Sequence, residues 1–423
     1  MVEIRSFPGI RYDEEKIGSM EKVITQPYDK IPPELQNKYY GKSEYNFCRL
    51  ILPKEEERYK AAAERLHHWL KENVLVSDKK ACIYVYYQRF EVLGKKYTRK
   101  GFISAVKLHP FEEGIVLPHE QTHKGPKIDR LNMLKATEKN LEPGFMLYSD
   151  PNQITINIFD QVSKEDPEFE VEDEYGVKSR VWKIDSSWDI KKVQEVLNDQ
   201  QVVIADGHHR YETAVTYRDE TRKQIEWDED SAFNFRMTYM VPIEDPGLVV
   251  LPGHRLLLKD ELKEEHLRRM KEHFEIHDVD DADEYLSKNK DTAAFVIYDG
   301  KKNIGLKLKD RSSIEKFFPK DYSEDYKNLD VVILRDVIFE GIMKTEKLDI
   351  DVTIAYERWT EDAVKKVKEG DATVVFLVNA TRPEQVLMTA KNGERMPEKS
   401  TDFYPKVNSG FVIMDIGKEQ KLV

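Results

Sequence analysis

Five consecutive residues in the segment QVVIADGHHRYETA have the side chains and the spacing of a phosphate-binding loop. Asp206, Gly207, His208, His209 and Arg210 directly follow a short run of apolar residues. Gly207 permits a tight turn, and the first backbone amides of a helix that begins here have no partners within that helix. Because imidazole and guanidinium groups stand beside those amides, the corner could hold a phosphate, and Asp206 could hold Mg²⁺ or accept a proton. In the alternative interpretation, these polar residues only cap the helix.

A second segment, LPHEQTHKGPKIDRL, contains the letters of the zinc-protease motif H-E-x-x-H. His119, Glu120 and His123 match it, but the motif works only when both histidines lie on one face of a continuous helix. Gly125 and Pro126 follow at once and are expected to break a helix, so we interpret the segment as a loop. Glu120 is then a candidate catalytic carboxylate or metal ligand. The candidate substrate-binding residues of this segment are His119, Lys127 and Arg130.

A third segment, NGERMPEKSTDFYPKVNSG, is dense in hydrogen-bond donors. Lys399, Ser400, Thr401 and Lys406 can offer ammonium and hydroxyl groups to an anionic part of a substrate. The segment has two prolines and lacks the glycine-rich cradle of a P-loop, so we expect an ordered loop. A purely structural loop remains the alternative. If the loop does bind substrate, it should pack toward the same cleft as Asp206.

The elements that must position these segments alternate between strand-like and helix-like patterns along the whole chain. This alternation predicts a mixed α/β (α+β) fold rather than a helical bundle or a β-sandwich. We place an N-terminal domain at residues 1–235 and a C-terminal α/β domain at residues 236–423. The main predicted elements are a hairpin of residues 83–90 and 99–106, helices at 129–139 and 211–219, and strands at 202–205, 293–298 and 373–379.

Composition excludes several classes of protein. The 423 residues carry a net charge of −12, which argues against general nucleic-acid binding. The 2 cysteines are too few for a disulfide scaffold. No apolar stretch is long enough to be a signal peptide or a membrane span. We therefore expect a cytoplasmic protein that binds a small-molecule substrate and no membrane. The sequence is compatible with a homo-oligomer.

Four motifs together resemble a conserved prokaryotic family of unknown function. They are QPYDKI, PHEQTHKGPKIDRL, IADGHHRYETA and GERMPEKSTDFYPKVNSG, and they extend over nearly the whole chain. The D-G-H-H-R loop, with a His-Glu pair upstream of it, is also similar to the ParB/sulfiredoxin-like superfamily, and most closely to its free-serine kinases. That resemblance implies a ParB/sulfiredoxin-like nucleotide-binding core in the N-terminal half. The long acidic segment 150–199 and the C-terminal half have no counterpart in it.

The resemblance also implies a role for each residue. Gly207, His208, His209 and Arg210 would hold the phosphates of ATP or ADP, and Asp206 would hold Mg²⁺ or act on the acceptor hydroxyl. Glu120 would be the catalytic carboxylate, with His209 as a further catalytic group. If so, Glu120 and Asp206 should lie within reach of one another across a cleft.

These observations favour a nucleotide-dependent phosphotransferase that acts on a small hydroxylated metabolite, with L-serine or phosphoserine suggested by the resemblance. Phosphoryl transfer needs mainly positioning and charge neutralisation, and the three polar segments carry suitable groups. A nucleotide-hydrolysing switch or binding protein of the ParB type is the main alternative. A metallohydrolase built on His119, His123, His208 and His209 is a third hypothesis.

Overall fold

The computed structural model describes residues 1–120, 124–198, 200–345 and 352–422. The chain divides into two compact units. Unit 1 contains residues 1–118, 122–249 and 405–423, and unit 2 contains residues 119–121 and 250–404. The mixed α/β class predicted from the alternating pattern is confirmed, because strands and helices alternate in both units.

The strands are numbered in chain order. They are β1 (Ile4–Arg5), β2 (Ile10–Tyr12), β3 (Leu75–Ser77), β4 (Ile83–Val92), β5 (Lys95–Lys107), β6 (Val116–Leu117), β7 (Lys139–Asn140), β8 (Gly144–Tyr148), β9 (Phe169–Glu172), β10 (Lys178–Ile184), β11 (Val202–Asp206) and β12 (Phe235–Pro242). They continue as β13 (Val249–Leu251), β14 (His254–Leu257), β15 (Phe274–Val279), β16 (Ala294–Tyr298), β17 (Asn303–Leu308), β18 (Ile354–Glu357), β19 (Val374–Val378), β20 (Asp402–Tyr404) and β21 (Met414–Asp415).

The α-helices are numbered in the same way. They are α1 (Glu14–Ile17), α2 (Pro33–Lys42), α3 (Cys48–Ile51), α4 (Arg58–Lys71), α5 (Lys124–Thr137), α6 (Ile154–Val162), α7 (Ser187–Leu197), α8 (His208–Thr221), α9 (Glu264–His273), α10 (Ala282–Lys288), α11 (Glu324–Lys327), α12 (Asp330–Val332), α13 (Thr360–Glu369) and α14 (Pro383–Lys391). A π-helix, Ile333–Met343, continues directly from α12.

A mixed sheet forms the centre of unit 1, with strand order β6-β11-β8-β12-β5-β4-β10-β9 and β1 beside β5. Its long strands β4 and β5 make the predicted hairpin through Gly94, and their alternating apolar residues are buried. Aromatic side chains pack in the core against this sheet. For example, the ring centres of Phe102 and Phe159 lie 5.2 Å apart. This sheet positions the candidate site, because Asp206 is the last residue of its strand β11.

Three strand ends meet at one edge of this sheet. β11 runs antiparallel to β8 and pairs Asp206 with Phe145, so the last residue of β11 lies beside the first residues of β8. β12 runs parallel to β8 and pairs Thr238 with Gly144. The carboxyl end of β11 therefore lies next to the amino ends of β8 and β12. Side chains that follow or precede these ends are brought together although they are distant in sequence.

Helix α5 begins earlier than the sequence pattern indicates. The prediction placed its start at Asp129, because Gly125 and Pro126 were expected to break a helix, and this expectation was wrong. The helix begins at Lys124. Proline is tolerated in the first turn because the N–H group it lacks would have no partner there.

Unit 2 is built on an antiparallel sheet with strand order β15-β17-β16-β19-β14-β18. Helices α10 and α13 cover one face, where Leu256, Val296 and Leu377 form part of the core. The π-helix covers the other face, where the rings of Phe339 and Phe376 lie 4.9 Å apart. Across the described ranges of the chain, no helix is both long and apolar enough to cross a membrane.

A buried histidine makes the stability of unit 2 depend on pH. His254 is 1% exposed, accepts a hydrogen bond from the backbone N–H of Val378 at 3.2 Å and contacts the hydroxyl of Thr360 at 3.3 Å. Burial, together with the charge of Arg255, lowers the pKa of His254 from 6.5 to about 4. The folded state thus resists protonation of this imidazole, whereas the unfolded chain accepts the proton near pH 6.5.

We expect the stabilising contribution of neutral His254 to be complete above pH 6.5 and to be lost as the pH falls to about 4. The loss corresponds to about 3 kcal/mol of unfolding free energy. Chemical denaturation of wild type and His254→Gln at several pH values measures it, because the difference between the two proteins cancels the titration of other groups. The same substitution at the half-exposed His277 is the control. A difference profile for His254→Gln that stays flat from pH 7 to pH 4 would contradict this expectation.

Candidate functional site

The candidate site begins at the corner between β11 and α8. Gly207 lies between them with φ +90°, a left-handed conformation that favours glycine, and α8 begins at His208. The backbone N–H of Tyr211 donates to the carbonyl of Gly207 at 3.0 Å, which closes the first turn. A Cβ atom at residue 207 would lie only 2.9 Å from the guanidinium of Arg210. Glycine is therefore needed both for the turn and for the close approach of Arg210.

Asp206 is surrounded by positive charge. Its Oδ2 accepts a hydrogen bond from Arg210 at 2.6 Å, and its Oδ1 lies 3.4 Å from Nζ of Lys406. Burial raises the pKa of Asp206, but the charges of Lys406, Arg210, Lys30 and His208 outweigh it and hold the pKa well below its usual range. The carboxylate is therefore ionised at neutral pH, and the cations around it exceed its own charge.

The side chain of Arg210 turns back into the protein. It is buried and donates to the backbone carbonyl of Pro143 at 2.7 Å as well as to Asp206. Arg236 lies close to it and donates to the backbone carbonyl of Glu142 at 2.5 Å. Burial and the charge of Arg210, only partly offset by Glu142, lower the pKa of Arg236 to about 9. These arginines form a buried positive cluster beneath the corner.

The N-terminal motif QPYDKI is placed beside this cluster by Glu142. The buried carboxylate of Glu142 accepts a hydrogen bond from the backbone N–H of Tyr28 at 3.0 Å and lies 3.6 Å from Arg130. The guanidinium of Arg130 stacks 4.0 Å from the ring of Tyr28, and burial raises the pKa of Tyr28 to about 12. Lys30, two residues further on, is close enough to lower the pKa of Asp206.

Lys406 is held in place through its backbone. Gln88 donates to the carbonyl of Lys406 at 2.9 Å, and Arg99 donates to the carbonyl of Pro405 at 2.6 Å. Arg99 is fully buried, with its guanidinium 4.8 Å from the ring of Phe145. The C-terminal segment of the chain is thus fastened to the central sheet, which brings the ammonium group to Asp206.

The other predicted residues of unit 1 have internal partners. Lys127 forms an ion pair of 2.9 Å with Glu212. Arg130 is buried, pairs with Asp129 and donates to the backbone carbonyl of Ile51 at 3.1 Å. His208 is buried and His209 is half-buried. The assignment of Lys127 and Arg130 to substrate, and of His208, His209 and Arg210 to phosphates, remains a prediction.

The remaining predicted residues lie together in unit 2. Nε2 of His119 lies 2.9 Å from the hydroxyl of Thr401, and its backbone carbonyl accepts from Met396 at 2.8 Å. A carboxylate oxygen of Glu120 accepts a hydrogen bond from the backbone N–H of Lys399 at 3.4 Å. Ser400 donates to the backbone carbonyl of Pro397 at 2.5 Å. The structure thus joins the His-Glu motif to the loop of residues 396–401. Because Asp206 belongs to unit 1, the expected reach between Glu120 and Asp206 remains a prediction.

The structure describes the HEQTH motif only in part. His119 and Glu120 come before α5 and are not helical, and His123 lies outside the described residues. Within the part of the chain that the structure describes, no group of three His, Cys, Asp or Glu side chains is arranged to hold a metal ion.

Comparison with known families identifies the group to which this chain belongs. Residues 4–332 match the family described as protein of unknown function, DUF1015. The match extends over more than half of the chain, so the protein is a member of this family. No curated protein matches the sequence.

Several solved structures have a low overall similarity. A free serine kinase variant in complex with ADP is 14% identical with a TM-score of 0.34, and the alignment covers 70% of this chain and 90% of the kinase. A conserved hypothetical protein from Pyrococcus furiosus is 16% identical with a TM-score of 0.31, covering 70% and 93%. A C-terminally truncated SbnI from Staphylococcus aureus is 7% identical with a TM-score of 0.35, covering 74% and 87%.

The contact between Gly207 and Arg210 leads to a test of the corner. We expect Gly207→Ala to lower the free energy of unfolding by about 2 to 3 kcal/mol, since it adds left-handed strain and displaces a buried guanidinium from Asp206. Gly114→Ala is a matched control, because Gly114 has φ +65° and open space where a Cβ would lie. Chemical denaturation measures the loss of stability in both variants. The loss in Gly114→Ala reports the left-handed strain alone, and the additional loss in Gly207→Ala reports the displacement of Arg210. Equal losses would show that the position of Arg210 contributes nothing.

Proposed function

We propose that this protein is a nucleotide-dependent phosphotransferase and that the corner at Asp206 binds the phosphates of ATP or ADP. One observation carries the proposal. The ionised Asp206 lies at the start of α8 in contact with Lys406 and Arg210, and Lys30 is near enough to lower its pKa further. Charge of this kind beside the amino end of a helix favours a phosphate group.

The cations at this corner would have different roles. Lys406 contacts Asp206 and Lys30 lowers its pKa, both from outside α8, and we assign them to the nucleotide phosphates together with the first N–H groups of the helix. Arg210 is a positioning residue in this proposal, because its guanidinium is buried against Pro143 and Asp206. The predicted contact of Arg210 with phosphate would require it to leave both partners.

Asp206 also fits the predicted Mg²⁺. Its carboxylate is ionised, and one carboxylate together with phosphate oxygens is a common ligand set for this ion. Oδ1 is the better candidate ligand, because its contact with Lys406 is the longer one at 3.4 Å. When bound, Mg²⁺ would neutralise charge on the phosphates.

The acceptor and the catalytic carboxylate are assigned on the motif resemblance. The similarity to the ParB/sulfiredoxin-like superfamily, and to its free-serine kinases, supports L-serine or phosphoserine as the small hydroxylated metabolite. Glu120 would take the proton of the acceptor hydroxyl as the phosphoryl group is transferred, and His209 would assist near the phosphates. Within unit 2, the backbone of Lys399 orients Glu120, and the hydroxyl of Thr401 orients His119.

Nucleotide binding provides the first test. We expect Lys406→Ala to weaken the affinity for ADP by about tenfold to a hundredfold, the effect of losing one charge-assisted contact. Isothermal titration calorimetry of the full chain with ADP and Mg²⁺ measures this. Lys421→Ala removes the same charge from an exposed pair with Asp228 in the same C-terminal segment and is the control. If both variants bind ADP as the wild type does, the corner is not the phosphate site.

Turnover provides the second test and separates an enzyme from a switch. We expect Glu120→Gln to retain ADP affinity and to lose transfer by at least about a hundredfold, because a positioned proton acceptor contributes that much. Phosphorus NMR with ATP or ADP, Mg²⁺ and L-serine follows the appearance of phosphoserine. Glu261→Gln, which removes an acidic group elsewhere in unit 2, is the control. Nucleotide hydrolysis that ignores the acceptor and survives Glu120→Gln would favour the nucleotide-hydrolysing switch.

A further inference from the structure

Unit 2 contains a cavity that the proposed phosphate site does not use. Its volume is about 520 Å³, which is within the range of small-molecule sites. The walls come from β14, β18, the π-helix and the segment 394–398 that belongs to the GERMPEKS motif. Its lining includes Arg255, Tyr356, Arg335 and the neighbouring Tyr322 and Tyr326.

Arg255 is a buried guanidinium that lines this cavity and forms no ion pair with a carboxylate of the described residues. The residue is 3% exposed and donates one hydrogen bond, to the backbone carbonyl of Gly253. Its guanidinium lies 5.5 Å from the ring centre of Tyr356. In the described part of unit 2, no carboxylate forms an ion pair with it, and burial and the charge of Arg335 lower its pKa to about 10. A buried charge of this kind is costly unless something compensates it.

Arg395 also lines the cavity, and two of its other charged groups, Arg335 and Glu394, have protein partners. Arg335 pairs with the buried Asp336, and this pairing raises the pKa of Arg335 although burial opposes it. The carboxylate of Glu394 accepts hydrogen bonds from the backbone N–H and the hydroxyl of Ser323. Asp321 and Glu398 also line the cavity. Among the described residues, the N–H groups of the Arg255 guanidinium make only the one hydrogen bond to Gly253, so most of them remain available to a ligand.

A second, independent feature points to the same place. Leu334, Arg335 and Phe339 line the cavity from the π-helix, a rare backbone conformation that is frequently found at functional sites. Gly341 in this helix lies so close to Phe317 that an added Cβ would be 2.4 Å from its ring. The unusual helix is thus fixed by packing and holds its side chains at the cavity wall.

We infer that this cavity binds a small organic anion, whose carboxylate or phosphate group pairs with Arg255 and whose body lies against the tyrosines. The volume is far larger than a bare inorganic ion needs. The rings of Tyr322 and Tyr326, in an edge-to-face pair 4.7 Å apart, provide a wall for an apolar or aromatic body. This site is independent of the phosphate site proposed at Asp206, because it shares no residue with it.

Three probes with the same ring test the chemistry. Benzoate carries a carboxylate, phenyl phosphate carries a phosphate, and benzyl alcohol is neutral. We expect saturation-transfer NMR and calorimetry on the full chain to detect at least one of the two anions and not the alcohol, and the anion that binds identifies the group. Failure of both anions to bind at millimolar concentration would overturn the inference, as would equal binding of the alcohol.

Variants of Arg255 test the location and the role. Arg255→Met should weaken binding of the anion by about tenfold or more, since one charge-assisted contact is lost. Arg268→Met, at an exposed position on α9, should leave it unchanged. Because no carboxylate among the described residues forms an ion pair with Arg255, Arg255→Met should also keep or raise the thermal midpoint of unfolding in the absence of a ligand. A variant that fails to fold, or a midpoint lowered by several degrees, would show that Arg255 is structural and would overturn the inference.

Discussion

The balance of charge around Asp206 is the interaction on which the corner of unit 1 depends. A buried arginine cluster is stable only where carboxylates compensate it, and Asp206 and Glu142 provide that compensation. Asp206 is also the point where the central sheet ends and α8 begins. The same carboxylate therefore orders the backbone corner, fixes the direction of Arg210 and draws Lys406 toward the start of the helix.

This balance gives the corner two layers. The inner layer, formed by Arg210, Arg236 and Glu142, is buried, and each of these residues has protein partners. The outer layer contains Lys406, whose Nζ lies 3.4 Å from Oδ1 of Asp206, and Lys30, which helps to lower the pKa of Asp206. The two layers belong to different parts of the chain, because Lys30 and Lys406 come from outside β11 and α8.

Local sequence signals predicted the elements of the corner well. Apolar residues followed by Asp206 and Gly207 indicated a strand, a turn and a helix, and the structure has β11, the left-handed glycine and α8 at these places. The predicted start of α5 was wrong, because we treated Pro126 as the end of any helix. A proline in the first turn is tolerated, since the N–H group that it lacks would have no partner there. The π-helix was not foreseen either, since its apolar pattern resembles that of an ordinary helix.

Long-range pairing explains what sequence reasoning missed at the site. Glu142 and Lys30 have no local signal, and they join the corner only because β8 pairs with β11 and because Glu142 binds the backbone of Tyr28. The occurrence of Tyr28 and Lys30 in the QPYDKI motif was the one available hint. Arg255 was also missed, since a lone arginine on a strand gives no sign that it lacks a counter-charge.

The position of Lys406 has a consequence for the order in which the protein is made. Its partner Asp206 precedes it by 200 residues, and all of the sheet of unit 2 lies between them in the chain. At the usual speed of translation this interval lasts roughly 10 to 40 seconds. Throughout that time the growing chain contains Arg210 but not Lys406. Gln88 and Arg99 also lack the backbone carbonyls of Lys406 and Pro405 to which they later donate. The ribosome must add 200 residues after Asp206 before the last cation of the corner is made, so shorter nascent chains lack this part of the candidate site.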